Sequence, residues 1–131
     1  MVFLKFVKTE EEFRKVFDIF VELYPDRNDF DDFNGRWNNP QTHIYFIEEN
    51  DQICGYVLIT TRNEIGYMVS SQFQRGGLGK KALTKLMEIE PREYYWATIP
   101  KENEDSMNFI QSLGFVPRGL MYGFDPPKKS V

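Results

Sequence analysis

The sequence predicts an α/β fold in which helices pack on a mixed β-sheet, and two features of the chain support this. Segments of β-branched and aromatic residues alternate with segments in which apolar residues recur every three or four positions, as in amphipathic helices. At the centre of the chain, a strand at residues 65–69, a helix at 78–87 and a strand at 94–99 follow one another. A right-handed crossover of this kind makes its two strands parallel, so the sheet is mixed.

Length and composition favour a single domain that spans residues 1–131. With 41% hydrophobic and 16% aromatic residues, the chain can build one core but is too short for two. The net charge of −4 argues against a general nucleic-acid binder, which needs a basic face. Cys54 is the only cysteine, and no apolar run reaches about 20 residues. The apolar run at the N-terminus is too short for a signal peptide and is interrupted by Lys5. We therefore expect a cytoplasmic protein without membrane spans.

The first half of the chain predicts a strand, two helices and a hairpin. The strand covers residues 2–7, and Thr9 with Glu12 forms a capping box that begins a helix, which Pro25 ends. A second, short helix closes near Trp37. Two strands at residues 43–48 and 53–59 flank a turn and form a hairpin.

An acidic stretch separates the first two helices. It is either a solvated loop whose aromatic residues dock on the core, or a lip that attracts a cationic substrate. Its charged members are Asp26, Arg27, Asp29, Asp31 and Asp32.

The second half predicts further strands around two helices. Pro91 breaks the chain before the strand at residues 94–99, and a last helix over residues 103–113 is closed by Gly114 at its C′ position. Short strands at 115–116 and 120–124 precede a frayed tail at 126–131. Together these segments make a sheet of about six or seven strands with about four helices.

A glycine-rich segment lies where strand 65–69 turns into helix 78–87. The start of a helix offers unpaired N–H groups and the positive end of its dipole, which together favour phosphate. The glycines remove the Cβ atoms that would keep a pyrophosphate away, and three cations add charge. The glycines are Gly76, Gly77 and Gly79, and the cations are Arg75, Lys80 and Lys81.

Two common phosphate motifs do not account for this segment. A P-loop needs glycine where Gln74 stands and Ser or Thr where Lys81 stands. Residues 77–82 match the dinucleotide fingerprint G-x-G-x-x-A, but that fingerprint should follow its strand directly within a parallel βαβ unit. Here the strand ends near Ser70 and a hairpin precedes it.

The pattern Q-x-x-G-x-G of Gln74, Gly77 and Gly79 resembles the acyl-CoA pyrophosphate loop of the GNAT superfamily of N-acetyltransferases. A second block, with Asn103, Ser106 and then Leu-Gly-Phe at residues 113–115, resembles the family's N-x-x-[AS]…L-G-F helix. The two blocks follow in the family's order and spacing, and the resemblance covers nearly the whole chain. It implies the GNAT fold, whose two central parallel strands splay apart around the pantetheine arm of acetyl-CoA.

The resemblance also implies which residues bind acetyl-CoA as co-substrate. Backbone groups of the central strand pair with pantetheine, N–H groups of the loop hold the pyrophosphate, and the last helix contacts CoA on the other wall of the cleft. The implied residues are Met68, Val69, Gln74, Arg75, Gly76, Gly77, Leu78, Gly79, Lys80, Asn103, Ser106 and Phe109.

The implied reaction is direct attack of a primary amine on the thioester. An amine with a pKa of about 10.4 is almost fully protonated near neutrality, so a base must remove its proton. Glu64, at the start of the central strand, is the candidate base. The alternative is that Glu64 is an ordinary exposed glutamate at the end of a strand, without a catalytic role. Many family members carry a tyrosine after the residue matching Phe109, where it protonates the thiolate, but this chain has Ile110. Tyr95 or Tyr122 are substitutes between which the sequence does not choose.

Three hypotheses therefore remain open at the level of sequence. The first is an N-acetyltransferase acting on a primary amine, the second a catalytically silent acyl-CoA-binding module, and the third an interaction domain. His43 and Cys54 are more simply structural than catalytic, and the sequence shows no metal-ligand cluster. The sequence does not identify the acceptor, which we expect to be cationic, and it does not specify the oligomeric state.

Overall fold

A computed structural model of the chain describes residues 1–74 and 76–127. The chain divides into two compact units, Met1–Thr98 and a second unit that begins at Ile99. The first unit contains β1 (Val2–Phe6), α1 (Glu10–Leu23), α2 (Phe30–Trp37), β2 (Thr42–Glu49), β3 (Gln52–Thr60), β4 (Ile65–Val69), a 3₁₀ turn (Ser71–Phe73) and α3 (Leu78–Ile89). The second unit contains α4 (Glu104–Ser112).

The helix ends follow the predicted local signals. Thr9 and Glu12 form the complete capping box at the start of α1, which confirms the prediction. Helix α2 ends at Trp37 as expected, and Asp29 caps its start by accepting the Asp32 N–H at 3.2 Å. Gly114 follows α4 with φ +97°, the left-handed conformation that ends many helices. Within the described ranges, no helix is both long enough and apolar enough to cross a bilayer.

The sheet of the first unit is antiparallel, in the order β1-β2-β3-β4. Strands β2 and β3 form the predicted hairpin, and Asn50 and Asp51 in its turn have φ of 52° and 61°. Two consecutive residues with positive φ are typical of the tight turns that join antiparallel strands. Gly55 allows β3 and β4 to approach closely, because a Cβ atom there would collide with the Met68 carbonyl.

The prediction of a mixed sheet with about six or seven strands is wrong for the described residues, which form four strands. The expected pair of parallel central strands is present only as an isolated bridge between Glu64 and Trp96. Side-chain bonds hold the segment around Trp96: its indole N–H donates to the Arg62 carbonyl at 2.7 Å, and the Tyr95 hydroxyl binds the end of α3. The backbone pairing is limited to this one bridge and does not extend into a ladder.

The short strands predicted at residues 115–116 and 120–124 are absent as well. Most of their apolar side chains are exposed, including Leu120 at 81% and Phe124 at 82%. Apolar composition alone does not make a strand, because a strand also needs a neighbouring edge with which to bond. Of the predicted tail, residues 126–127 have no regular structure, and residues 128–131 lie outside the described residues.

The first unit has helices on both faces of its sheet. Alternate residues of β3 and β4 point to opposite faces. Tyr56, Leu58 and Met68 join the aromatic core beneath α1 and α2, in which Phe13, Phe20 and Phe33 lie close together. The opposite face holds Val57 and Ile59, and there α3 packs against β1, β3 and β4 with its buried side chains Leu78, Ala82, Leu83 and Leu86.

Candidate functional site

The start of α3 offers unpaired backbone donors. Gly77 is its N-cap, with φ 74° and ψ 12°, and no side chain caps the helix there. The first bond of the helix runs from the Lys81 N–H to the Gly77 carbonyl at 3.2 Å. The N–H groups of Leu78, Gly79 and Lys80 therefore lack partners within the helix, as in the first turn of any α-helix. They are available to an anion.

The surrounding charge also suits an anion. The first turn of α3 carries no acidic side chain, whereas Lys80 and Lys81 lie there although cations are disfavoured at this end of a helix dipole. Leu78 is buried and anchors the turn, while Gly76, Gly77 and Lys80 remain exposed. The predicted contact Arg75 lies outside the described residues. The described part of the predicted pyrophosphate loop thus has the chemistry of a phosphate site.

Gln74 connects this loop to the end of β4. Its side-chain amide donates a hydrogen bond to the Val69 carbonyl at 3.0 Å. Gln74 therefore holds the strand end against the loop, and its side-chain nitrogen is engaged within the protein. The sequence motif identified Gln74 but not this partner.

Val69 and Met68 present their backbone groups to opposite sides. Ladder hydrogen bonds alternate along an antiparallel strand. The Ile65 N–H bonds the Trp96 carbonyl on the edge away from β3, whereas the Ser70 N–H bonds the Cys54 carbonyl of β3. By this alternation Val69 turns its N–H away from β3, and Met68 turns its N–H and carbonyl toward β3. Of the two predicted pantetheine contacts, only Val69 has its backbone on the outer edge.

Glu64 extends β4 at its start. Its carbonyl accepts the Thr60 N–H at 2.9 Å, which continues the β3–β4 ladder, and the β3–β4 register has no bulge. Glu64 and Met68 therefore point to the same face of the sheet, the one that α1 and α2 cover. The half-buried Glu64 side chain accepts one long hydrogen bond, from the Thr98 hydroxyl at 3.4 Å. Within residues 1–74 and 76–127, this bond leaves most of the bonding capacity of the carboxylate available.

The two candidate tyrosines differ in their surroundings. The Tyr95 hydroxyl lies 2.8 Å from the Glu90 carbonyl and 3.1 Å from the Met87 carbonyl, and it accepts the Arg92 N–H at 2.9 Å. These bonds close the C-terminal end of α3 and engage the proton of the hydroxyl. Tyr122 belongs to the second unit, where it is 86% exposed.

In the second unit, the residues of the second motif begin and line α4. Asn103 is the N-cap, and its side-chain oxygen accepts the Ser106 N–H at 3.0 Å. The Asn-x-x-Ser spacing therefore has a local structural purpose, because it satisfies one unpaired donor of the helix. Phe109 is half-buried, and Ile110, at the position where many relatives of the motif carry tyrosine, is buried.

A polar cluster at the C-terminal end of α3 was not predicted. The Glu90 carboxylate contacts His43 at 2.6 Å, the Tyr45 hydroxyl at 2.8 Å and Arg92 at 3.3 Å. Burial alone would raise the pKa of Glu90, but the hydrogen bonds with His43 and Tyr45 and the nearby positive charge outweigh burial and lower it. Burial, the hydrogen bond with Glu90 and the negative charge of Glu90 together raise the pKa of Tyr45 to about 12. These contacts join residues far apart in the chain, which sequence spacing does not reveal.

Two further residues have structural environments. Cys54 is buried, and burial raises the pKa of its thiol, which makes it a poor nucleophile. His43 takes part in the cluster around Glu90. Across residues 1–74 and 76–127, no three His, Cys, Asp or Glu side chains come together in a group that could hold a metal ion.

Comparison with known proteins identifies the fold and the family. The model of the Acetyltransferase (GNAT) family matches residues 8–115. An aminoglycoside acetyltransferase from an uncultured soil metagenomic sample, solved with sisomicin, aligns with a TM-score of 0.73 at 15% identity, over 98% of this chain and 96% of that one. AAC(6')-Iy, solved with the bisubstrate analogue CoA-S-monomethyl-acetylneamine, aligns with a TM-score of 0.76 at 12% identity, over 97% and 99%. The aminoglycoside N-acetyltransferase AAC(6')-Iy with CoA gives 0.72 at 12% identity, over 96% and 95%. At these identities the structures share the fold.

Proposed function

The chain belongs to the acetyltransferase (GNAT) family, and we propose that it transfers the acetyl group of acetyl-CoA to a primary amine. The observation that carries this proposal is the start of α3, where a left-handed Gly77 opens a helix whose first N–H groups have no side-chain cap. This is a site for the pyrophosphate of acetyl-CoA. The lone, buried Cys54 suits a reducing compartment, and we assign the protein to the cytoplasm.

Three parts of the chain would bind the co-substrate. The N–H groups of Leu78, Gly79 and Lys80 would receive the pyrophosphate, and the Lys80 side chain adds a positive charge. The outward N–H of Val69 would pair with pantetheine, while Gln74 keeps that strand end in place. In the second unit, Asn103, Ser106 and Phe109 remain the proposed contacts on the strength of the family motif.

The chemical step requires a free amine. Its nitrogen attacks the thioester carbonyl, a C–N bond forms, the C–S bond breaks, and the amine gives up one proton. We assign the proton to Glu64, directly or through one water, because its carboxylate lies on the sheet face below α1 and α2 and has bonding capacity left. Base assistance of this kind is typically worth about 10²–10⁴-fold in rate.

The departing thiolate takes up one proton from water, and the proton held by Glu64 passes to the hydroxide that remains, so the step balances. With Ile110 at the usual tyrosine position and the Tyr95 hydroxyl engaged at the end of α3, we assign its protonation to water. A thiol with a reference pKa near 8.5 is a fair leaving group without an acid catalyst. Tyr122 stays a sequence-based candidate for this role.

The buried Ile110 also favours a second candidate, an acyl-CoA-binding module without turnover. Two measurements separate the candidates. If acetyl-CoA binds, it should raise the melting temperature, with about 2.7 kcal/mol of added stability when the ligand is at about 100 times its Kd. Release of free CoA with a panel of primary amines, read with a thiol reagent, then tests transfer.

The outcomes are distinct. A melting temperature that does not change up to millimolar acetyl-CoA would reject both candidates. A thermal shift without amine-dependent CoA release, across monoamines, polyamines, amino acids and amino sugars, would leave the binding module. Amine-dependent release, with the acetylated product identified by mass spectrometry, would establish the transferase.

A further inference from the structure

A cavity of about 280 Å³ opens beside the C-terminal end of α1 and along α2. Its apolar lining consists of Phe20, Phe33 and Trp37, of which Phe33 is almost fully buried. Its charged lining consists of Arg27, Asp29, Asp32 and Arg36. An aromatic pocket with a few charged groups at its rim is the usual form of a small-molecule site.

The four charged groups around this cavity are not neutralised by one another. None of them forms an ion pair with another within the described chain. The arginines lie near aromatic rings instead, with the Arg27 guanidinium 5.4 Å from the centre of the Phe20 ring and that of Arg36 5.9 Å from the Trp37 ring. Asp29 uses one carboxylate oxygen to cap α2. Two cations and at least one free carboxylate therefore remain for a ligand.

The cavity lies at the end of α1 that is tied to the co-substrate loop. Glu22, in the last turn of α1, bonds Ser71, two residues after the end of β4. Phe20 belongs to the core cluster against which Met68 of β4 packs. A second cavity, of about 330 Å³, includes Glu10 at the start of α1. Glu10 lies about 15 Å from Phe20 along the axis of α1, at about 1.5 Å per residue, and Trp37 lines both cavities.

From these observations we infer that the cavity holds the amine acceptor and that this acceptor is a small zwitterion, with a primary ammonium and a carboxylate in one molecule, as in a free α-amino acid. The inference rests on the proposed transferase function. The aspartates face the ammonium, the arginines face the carboxylate, and the aromatic floor contacts an apolar side chain.

The charges that line the cavity favour a zwitterionic acceptor over a polycation. Two aspartates and two arginines sum to zero, so a molecule with several ammonium groups meets repulsion from Arg27 and Arg36. The acidic stretch is therefore not a purely anionic lip, because Arg36, which follows it along the chain, completes the balance. The solved relatives described above are aminoglycoside acetyltransferases, one of them in complex with sisomicin, and this chain should differ from them in acceptor.

The first test is calorimetric binding of matched probes to the intact protein. L-Phenylalanine carries both charges, phenethylamine lacks the carboxylate, 3-phenylpropionate lacks the ammonium, and spermidine is a polycation. We expect L-phenylalanine to bind at least about tenfold more tightly than each of the other three, since each loses a charged contact or adds repulsion. Equal or tighter binding of phenethylamine or spermidine, or no binding of L-phenylalanine, would overturn the inference.

The second test uses charge-neutralising variants with matched controls. Arg27→Gln with Arg36→Gln should weaken L-phenylalanine binding only about three- to tenfold, because both arginines are exposed to solvent. Phenethylamine has no carboxylate for the arginines to contact, so its affinity should not fall. Asp29→Asn with Asp32→Asn should weaken both ligands, and asparagine still caps α2. The controls are Arg14→Gln, whose guanidinium lies over Phe30, and Asp31→Asn, since neither residue lines the cavity.

Circular dichroism melts verify that each variant is folded. Equal losses in the controls and in the cavity variants would overturn the inference, because a general change in charge would then explain them.

Turnover separates failure of this inference from failure of the proposed function. Release of CoA with monoamines or polyamines but not with amino acids would keep the transferase and overturn the zwitterionic acceptor. Charge-dependent binding of L-phenylalanine without CoA release would overturn the transferase, while the ligand preference of the cavity would stand. Acetylation of the amino nitrogen of L-phenylalanine, with a raised KM in the double arginine variant, would support both.

Discussion

Glu22 accepts two hydrogen bonds from Ser71, one from its backbone N–H and one from its hydroxyl, each 2.9 Å long. The two residues are distant in sequence, and their contact joins the last turn of α1 to the segment that leads from β4 into the loop before α3. Helix α1 borders the proposed acceptor cavity, and the loop is the proposed pyrophosphate site. One carboxylate thus connects the two halves of the proposed active site.

We expect Glu22→Ala to weaken acetyl-CoA binding about three- to tenfold. Each bond to an ionised group contributes on the order of 1 kcal/mol in a partly exposed setting, and its loss leaves the entry to the loop less constrained. The measurement is calorimetric titration with acetyl-CoA. Asp18→Ala, which removes an exposed carboxylate from the same helix, is the control. If both variants bind like the unmodified protein, the contact has no part in co-substrate binding.

Gly77→Val should remove the thermal shift that acetyl-CoA causes. A left-handed conformation costs a residue with a Cβ about 1–2 kcal/mol, and more for a β-branched one, so the cap of α3 distorts and the phosphate position is obstructed. Within the described residues, no atom lies within 4 Å of a Cβ built at Gly77, so a clash inside the protein does not contribute. The same melts without ligand measure the backbone cost.

Gly35→Ala provides the control for Gly77→Val. Gly35 lies inside α2, and a Cβ there also meets nothing within 4 Å. Alanine at that position should raise stability by about 0.5–1 kcal/mol and leave the ligand-induced shift intact. A full acetyl-CoA shift in Gly77→Val would mean that the co-substrate does not approach the start of α3.

Glu64→Gln should lower kcat at least about tenfold near pH 7, with no change in acetyl-CoA affinity. Glutamine keeps the shape and the contact with Thr98 but cannot take the proton of the amine. The deficit should shrink at high pH as free amine becomes abundant. The measurement is the pH–rate profile of Glu64→Gln. The control is Glu93→Gln, which changes an exposed acid after α3. Superimposable profiles for Glu64→Gln and the unmodified enzyme would leave Glu64 without a role.

Glu90→Gln should reduce stability in a pH-dependent way. Because the pKa of Glu90 is lowered in the folded state, its stabilising contribution is present above its usual value of 4.5 and is lost as the pH falls through the lower, folded value. We expect the free energy of unfolding of Glu90→Gln to be about 1–3 kcal/mol lower than that of the unmodified protein near neutrality, and this difference should disappear in acid. Urea unfolding at a series of pH values measures it. Glu88→Gln, which changes an exposed acid in the last turn of α3, should show no pH-dependent loss of stability. A loss of stability in Glu90→Gln that does not depend on pH would contradict the lowered pKa of Glu90.

The local features of this fold could be predicted from short segments. The capping box at Thr9 and Glu12, the positive φ at Gly114 and the turn of the β2–β3 hairpin depend on a few neighbouring residues, and the structure has all three. The glycine cap at Gly77 follows from the same kind of signal, since few residues other than glycine adopt that conformation without cost. The start of the candidate site is therefore visible in the sequence.

The strands predicted at residues 94–99, 115–116 and 120–124 show where composition is insufficient. These segments are rich in apolar residues, yet none of them forms a ladder in the described residues. At residues 94–99 the backbone pairing is limited to one bridge between Glu64 and Trp96, and the Trp96 side chain bonds Arg62, which is distant in sequence. The same limit applies to Met68 and Val69, because only the register of β4 decides which of them faces the outer edge.

By itself, the sequence determined the helix caps, the β2–β3 turn, the family resemblance and the loop that precedes α3, because each of these depends on the backbone preferences of adjacent residues. Only the tertiary structure decided that Gln74 binds Val69, that Glu22 binds Ser71, and that Arg27 and Arg36 share one cavity with two aspartates. Those contacts depend on how the helices, the sheet and the loops pack against one another. Their geometry depends on the whole unit, and spacing along the chain carries little information about it.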